Sequence, residues 1–236
     1  MATPRFALLD ASHGEPHTRR NFRRELDASL AEFDVTQEEF PETFDYDGVV
    51  ISGSRASVYW DEPWIESLVS YTADAAAHDL PILGVCYGHQ VLAAALGGRV
   101  TDMGEYEIGY REVQRVDADS ALLRGLPDSF TAFTTHSDHV VDLPPGATLL
   151  AENEYGVHAF QQGNAFGVQF HPEYDPETAA FVTRGKDDQL SDDRIQRVLD
   201  GITDEQYAAA CRTKQLFENF VDHVCGLHDD QPAAAD

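Results

Sequence analysis

Hydrophobic residues fall into two kinds of run along this 236-residue chain. In the first half they form short unbroken blocks: Phe6-Ala7-Leu8-Leu9, Gly48-Val49-Val50-Ile51 and Ile82-Leu83-Gly84-Val85. Blocks this short and apolar throughout read as strands buried on both faces. Between them the apolar positions open to a helical period. This predicts helices over 18–30 and 64–77, and a third from Val91 onward that Gly97-Gly98 closes. Residues 33–36 read as a further short strand. A strand–helix–strand rhythm predicts a mostly parallel sheet with helices on both faces. After residue 110 the pattern turns to alternation. Residues 110–116, 130–134, 148–152, 157–161 and 165–170 read as half-buried strands added to that sheet, some of them antiparallel. A charged helix or loop over 187–201 and a helix over 204–224 follow. The expected fold class is α/β: one domain over 1–226 built on a mixed, mostly parallel open sheet. A polar acidic tail over 227–236 is expected to be disordered.

Charge changes the picture. The chain carries 42 acidic residues against 16 lysines and arginines, a formal net charge of -26. Such a surface repels nucleic acid and anionic membranes, so neither is an expected partner. Hydrophobic residues make up 42% of the chain, which argues for a packed core over disorder. An acidic coat on a folded core fits a protein that works in concentrated salt, where screening removes the self-repulsion. No run is long enough to span a membrane, and Phe6–Leu9 is too short for a signal peptide. Three cysteines form no disulfide framework. The expected compartment is the reducing cytoplasm.

The candidate chemistry lies where two strands end. The block Ile82–Val85 stops at Cys86, and a helical pattern begins at once. Gly84 and Gly88 flank the cysteine, as a nucleophile on a sharp strand-to-helix turn requires, because the backbone there is crowded. A helix start also favours a negative sulfur through its dipole and free N–H groups. The second block, Phe166–Phe170, delivers His171-Pro172-Glu173. A cysteine nucleophile needs a base, and the base needs an orienting group. Pro172 keeps the segment extended, so His171 and Glu173, two apart, point the same way.

These residues carry a resemblance. Gly84-Val85-Cys86-Tyr87-Gly88-His89-Gln90 and Gly167-Val168-Gln169-Phe170-His171-Pro172-Glu173 resemble the two strong motifs of the class I glutamine amidotransferases, in particular the free-standing GMP synthase-like proteins. Weaker likenesses lie at 51–59, at Glu107-Ile108-Gly109-Tyr110 and at Thr135-His136-Ser137-Asp138, in the family's order. The resemblance implies a flavodoxin-like sheet with the site at its strand ends. It implies hydrolysis of the glutamine side-chain amide through a thioester on Cys86, with His171 moving the proton and Glu173 holding His171. It also implies an oxyanion hole from the Tyr87 N–H and the Gly53-Ser54 loop, and glutamine contacts from Gln90, Thr135, His136, Ser137 and Asp138. The family's usual Gly-Gly-Pro is replaced here by Gly53-Ser54-Arg55. A left-handed backbone at Ser54 would put strain into that loop. No cofactor or metal is implied. Any ATP-dependent synthetase that uses the ammonia is expected on a separate chain, and the oligomeric state is left open. Two alternatives use the same residues or none of them: a free-standing γ-glutamyl hydrolase or peptidase, and a non-catalytic regulatory subunit.

Other features read as ordinary. Cys86 and His89 have the spacing of a metal pair but lack a second pair. His136 and His139 read as loop residues, and His158 as an exposed strand residue. The basic face Arg19-Arg20, Arg23-Arg24 is expected to pair with nearby acids or, less simply, to dock a partner. Tyr59, Trp60, Pro63 and Trp64 read as core packing or as a wall beside the Gly53 loop.

Overall fold

A computed structural model describes residues 3–117 and 119–229. Nine strands form one sheet. In chain order they are β1 (Arg5–Asp10), β2 (Ser29–Asp34), β3 (Gly48–Ile51), β4 (Ile82–Val85), β5 (Arg99–Arg115), β6 (Ser129–Asp142), β7 (Thr148–Asn153), β8 (Gly156–Gln162) and β9 (Ala165–Val168). Their spatial order is β2-β1-β3-β4-β9-β8-β7-β5-β6. The five strands β2, β1, β3, β4 and β9 pair in parallel, and the rest antiparallel.

The helices are α1 (Thr18–Glu25), α2 (Pro63–Ala77), α3 (Tyr87–Ala95), α4 (Pro176–Arg184), α5 (Asp192–Asp200), α6 (Asp204–Ala210) and α7 (Gln215–Asp229). Both faces of β1, β3, β4 and β9 are covered, which is why these strands are apolar without alternation, whereas the edge strand β2 carries Ser29, Glu32 and Asp34. On one face Phe6, Leu8, Val50 and Leu83 join Phe22 of α1 and Phe217, Phe220 and Val224 of α7. On the other, Val49, Ile51 and Ile82 join Trp64, Ile65 and Leu68 of α2 and Val91 and Leu92 of α3. None of the described helices is long and apolar enough to cross a membrane.

Boundaries differ from expectation for local reasons. The first helix ends at Glu25 rather than near residue 30, because β1 recruits Ser29–Asp34 as a parallel neighbour. The strand expected at 33–36 therefore starts earlier and stops at Asp34, whose carboxylate accepts from the Thr36 N–H and turns the chain into a short 3₁₀ turn. Residues 135–139, expected in a loop, continue β6, paired along β5. Helix α4 has no counterpart in the periodicity reading; Asp175 caps it by accepting from the Thr178 N–H, and Pro176 opens it. The expected 204–224 helix is broken by a 3₁₀ turn at Cys211–Lys214, and α7 runs on to Asp229. The tail over 230–236 lies outside the described residues.

Candidate active site

Strands β3, β4 and β9 lie side by side, and their carboxyl ends deliver Gly53, Cys86 and His171 to one place. This is where open parallel sheets place ligands.

Cys86 is the turn residue between β4 and α3, with φ 53° and ψ −104°, outside the regions that a side chain favours. Neighbouring backbone holds it there. Its N–H donates to the Val168 carbonyl at 2.8 Å, and its carbonyl accepts from the Gln90 N–H at 3.2 Å. The two flanking glycines are required by space. A Cβ on Gly84 would lie 2.3 Å from the Gly88 carbonyl oxygen, and one on Gly88 would lie 2.3 Å from that of Ile51. The strand–turn–helix is thus pressed together so closely that only hydrogen atoms fit at those positions. The Tyr87 N–H opens α3 and, by position, has no acceptor within the helix.

His171 stands opposite. Its main-chain N–H donates to the Phe133 carbonyl at 2.8 Å. Its Nδ1 lies 2.7 Å from Glu173 Oε1, and Tyr174 stacks on the ring at 4.0 Å. Gly53 closes the space: a Cβ there would come within 3.0 Å of His171 Cε1 and 3.7 Å of Cys86 Cβ. Burial works against a charge on His171, but the Glu173 carboxylate and the Cys86 sulfur outweigh it and hold its pKa up at about 10. Cys86, His171 and Glu173 line one cleft together with Gly53, Ser54 and Thr135. Sulfur, imidazole and carboxylate in series are an arrangement for nucleophilic acyl transfer.

The basic face of α1 supports this segment. Arg24 donates to the Glu173 carbonyl at 2.6 Å and to Asp175 at 2.6 Å, and Arg20 donates to Asp175 at 2.8 Å and Glu177 at 2.9 Å. Pairing with nearby acids was the simpler expectation, and these acids are the ones just past His171.

The Gly53-Ser54-Arg55 loop differs from expectation. Among the described residues only His13, Glu38, Asp79 and Cys86 combine a side chain with positive φ, so Ser54 is not strained. Its hydroxyl instead accepts from the Ala56 N–H at 3.2 Å and shapes the turn. The strain sits on the cysteine.

The expected binding residues flank Cys86 on its other side. Gln90, Thr135, His136, Ser137 and Asp138 line a second wing of the cleft. The Thr135 carbonyl lies 3.9 Å from the Cys86 sulfur. Gln90 is committed to the protein: its Nε2 donates to the Asp138 carbonyl at 3.0 Å and to Gln169 Oε1 at 3.1 Å. Asp138 accepts from the hydroxyl of Tyr59, which is half exposed rather than core and, with Trp60, lines a separate depression beside α2. Trp64, by contrast, is buried core.

Two histidines correct the sequence reading. His158 is 1% exposed, not a surface residue, and His136 is buried on β6. Both face Glu107. Glu107 Oε2 lies 2.6 Å from His136 Nε2 and 3.2 Å from His158 Nε2, and Oε1 accepts from Asn153 at 2.7 Å. Burial pushes the Glu107 carboxyl up, but hydrogen bonds and charge from the two imidazoles hold it well below the usual carboxylate range. The three ligand atoms lie within 4.8 Å of one another, a spacing that could hold a cation. Both Nε2 atoms already bond to the carboxylate, so the cluster serves as an internal anchor, although the buried His158 Nδ1 has no hydrogen-bond partner. His136 Nδ1 lies 2.9 Å from the Asp138 carbonyl, which ties the anchor to the wing beside Cys86. The signal was present in Glu107 and His136, both in weaker motif matches; His158 carried none. His89 is fully buried beside Phe160, with its pKa pulled down by burial to about 3, and it does not share the cleft with Cys86.

The geometry accords with known proteins. The model of the family described as glutamine amidotransferase class-I matches residues 15–183. A GMP synthase [glutamine-hydrolyzing] of Vibrio vulnificus is 34% identical over 176 residues, 72% of this chain but 32% of that protein. Gamma-glutamyl peptidase 5 of Arabidopsis thaliana is 36% identical over 156 residues, 61% of this chain and 62% of that protein. The chain thus spans less than two thirds of either relative. A solved glutamine amidotransferase structure from Thermotoga maritima is 25% identical, with a TM-score of 0.80 over 94% of this chain and 100% of that one. On the strength of the match to residues 15–183, the chain belongs to the class-I glutamine amidotransferase family.

Proposed function

We propose that this chain hydrolyses the side-chain amide of glutamine through a thioester on Cys86 and releases ammonia for an acceptor carried by a separate synthetase. The observation that carries this reading is His171, which faces both the strained Cys86 and Glu173. The Cys86 sulfur attacks the amide carbon, and the carbonyl electrons move to oxygen. That oxyanion meets the Tyr87 N–H and the N–H groups of the Gly53-Ser54 loop. The carbon–nitrogen bond then breaks, and His171 gives the departing amine its proton. Water, deprotonated by His171, opens the thioester and releases glutamate. Glu173 keeps the His171 ring oriented throughout. The acidic coat suits this chemistry to concentrated salt, and a working thiol requires a reducing compartment such as the cytoplasm.

A second reading is γ-glutamyl peptide hydrolysis by the same residues. It is favoured by one observation: the aligned segment covers 62% of the Arabidopsis peptidase against 32% of the GMP synthase. A regulatory role without chemistry has no use for a cysteine held at φ 53°.

The test is release of glutamate by the purified chain in high salt, from glutamine and from γ-glutamyl dipeptides. Hydrolysis of glutamine, accelerated by a partner fraction, is expected. Fast turnover of dipeptides alone puts the second reading first, and release from neither substrate overturns both.

A further inference from the structure

The two wings of the cleft meet under the same pair of cations. Arg55, from the loop after β3, and Lys186, from the turn after α4, line both the His171 wing and the Asp138 wing. Arg55 is exposed, whereas Lys186 is 6% exposed. The Lys186 ammonium lies 5.2 Å from the centre of the Tyr106 ring. Gly185 leaves room for the partner cation: a Cβ there would stand 2.9 Å from Arg55 Nη2.

Among the described residues, neither side chain has an ion pair or a hydrogen bond. Surface arginines vary in this: Arg19, Arg20, Arg23, Arg24, Arg99 and Arg115 each pair with a carboxylate, whereas among the described residues Arg184 and Arg212 do not. The other lysine, Lys214, pairs with Glu25, so the unusual cation is the buried Lys186. A net charge of -26 offers acids almost everywhere. Burying an ammonium without a counter-ion is unfavourable, and placing a guanidinium beside it adds repulsion. Burial, and then Arg55, draw the Lys186 pKa down; Cys86 and Asp188 act the other way. The acids nearest in the cleft face other partners. Asp138 holds the Tyr59 hydroxyl, Glu173 holds His171, and Glu15 on the far wall accepts from the His17 N–H.

The missing counter-ion therefore comes from outside the chain. We propose that Arg55 and Lys186 form a carboxylate-binding subsite over Cys86, which seats an anionic end of the substrate beside the sulfur. A planar guanidinium grips a carboxylate through two donors, and the ammonium adds a point charge. The substrate identity rests on the γ-glutamyl reading above; the subsite does not. Two carboxylates have this chemistry: that of the glutamyl α-carbon, and that of an amino acid departing from a γ-glutamyl dipeptide.

The test compares alkylation of Cys86 by anionic iodoacetate and neutral iodoacetamide at fixed ionic strength. Peptide mapping supplies the rates, with Cys211 and Cys225 as references in the same molecule. The expected iodoacetate-to-iodoacetamide ratio is higher at Cys86 than at either reference. It falls about tenfold in K186M and in R55M, as loss of one charged contact implies, and stays near the parent value in K186R. R55M, at an exposed position, keeps the test valid should K186M fold poorly. Equal ratios at all three cysteines, or a ratio unchanged in both Met variants, overturn the proposal. Kinetics of K186M on glutamine, γ-glutamylglycine and γ-glutamylmethylamide assign the source. A raised KM for all three points to the α-carboxylate, and a rise for γ-glutamylglycine alone to the departing group. An unchanged KM for all three overturns the substrate role. Turnover of none of them by the parent chain, with the labelling ratio intact, keeps the subsite and removes the γ-glutamyl reading.

Discussion

At the scale of the residue, the proposed chemistry depends on three side chains and on the electrostatics that tie them. His171 has a pKa near 6.5 in an unfolded chain and about 10 in the fold. Its contribution to stability is therefore complete below about pH 6.5 and disappears as pH rises through about 10. The same proton is needed by the departing amine, so kcat/KM is expected to hold through neutral pH and fall on an alkaline limb near 10. Glu173→Gln removes the strongest charge favouring that proton. It should move the limb to lower pH and lower kcat by a factor on the order of 10². A profile that keeps its alkaline limb in this variant contradicts the assignment. The cysteine and the His-Pro-Glu run were legible in sequence because each follows a buried strand, and chain order alone then places them at strand ends. Lys186 and His158 were not legible. Neither has a patterned neighbour, and their meaning comes from residues far off in the chain: Arg55 and Cys86 for one, Glu107 for the other.

Elements decide whether those side chains meet. The junction of β4 and α3 is the tightest in the molecule's active region, because the Gly84 and Gly88 backbones leave no room for a methyl group. Gly88→Ala is expected to destabilise the fold by about 1–3 kcal/mol, measured by denaturant unfolding, since the clashing atom is backbone and cannot rotate aside. A variant as stable as the parent would show that α3 is free to slide. Helix α1 has a different task. Arg24 reaches the Glu173 carbonyl and Asp175, so it positions the segment that carries His171. Exposed ion pairs contribute little to stability, but a small displacement at a reacting group is expensive in rate. Arg24→Met should lower kcat about tenfold, with KM and melting temperature nearly unchanged. Equal losses in kcat and stability would reduce Arg24 to a fold contact. The parallel strands were readable from apolar blocks, whereas the reach of β5 and β6 was not. Polar residues such as Glu107, His136 and Asp138 interrupt their alternation, and they do so because they build the anchor and the wing beside Cys86.

The whole molecule adds charge and partnership. With a net charge of -26 the folded chain repels itself, and screening relieves that repulsion. The melting temperature is expected to rise on the order of 10 °C from dilute buffer to molar salt. A melt insensitive to salt would remove the concentrated-salt reading and leave the chemistry untouched. The chain's GMP synthase relative from Vibrio vulnificus is about three times longer than the segment the two share, which is 32% of that protein. In the function proposed here, the ammonia acceptor lies outside this domain, and the cleft between β3, β4 and β9 releases the ammonia. The most direct measurement of that claim is mass spectrometry of the chain, acid-quenched during turnover of glutamine. A γ-glutamyl adduct is expected on the peptide that carries Cys86, absent from those carrying Cys211 and Cys225, and lost together with activity in Cys86→Ser. Glutamine turnover that persists in Cys86→Ser, or an adduct that maps to another residue, would contradict it.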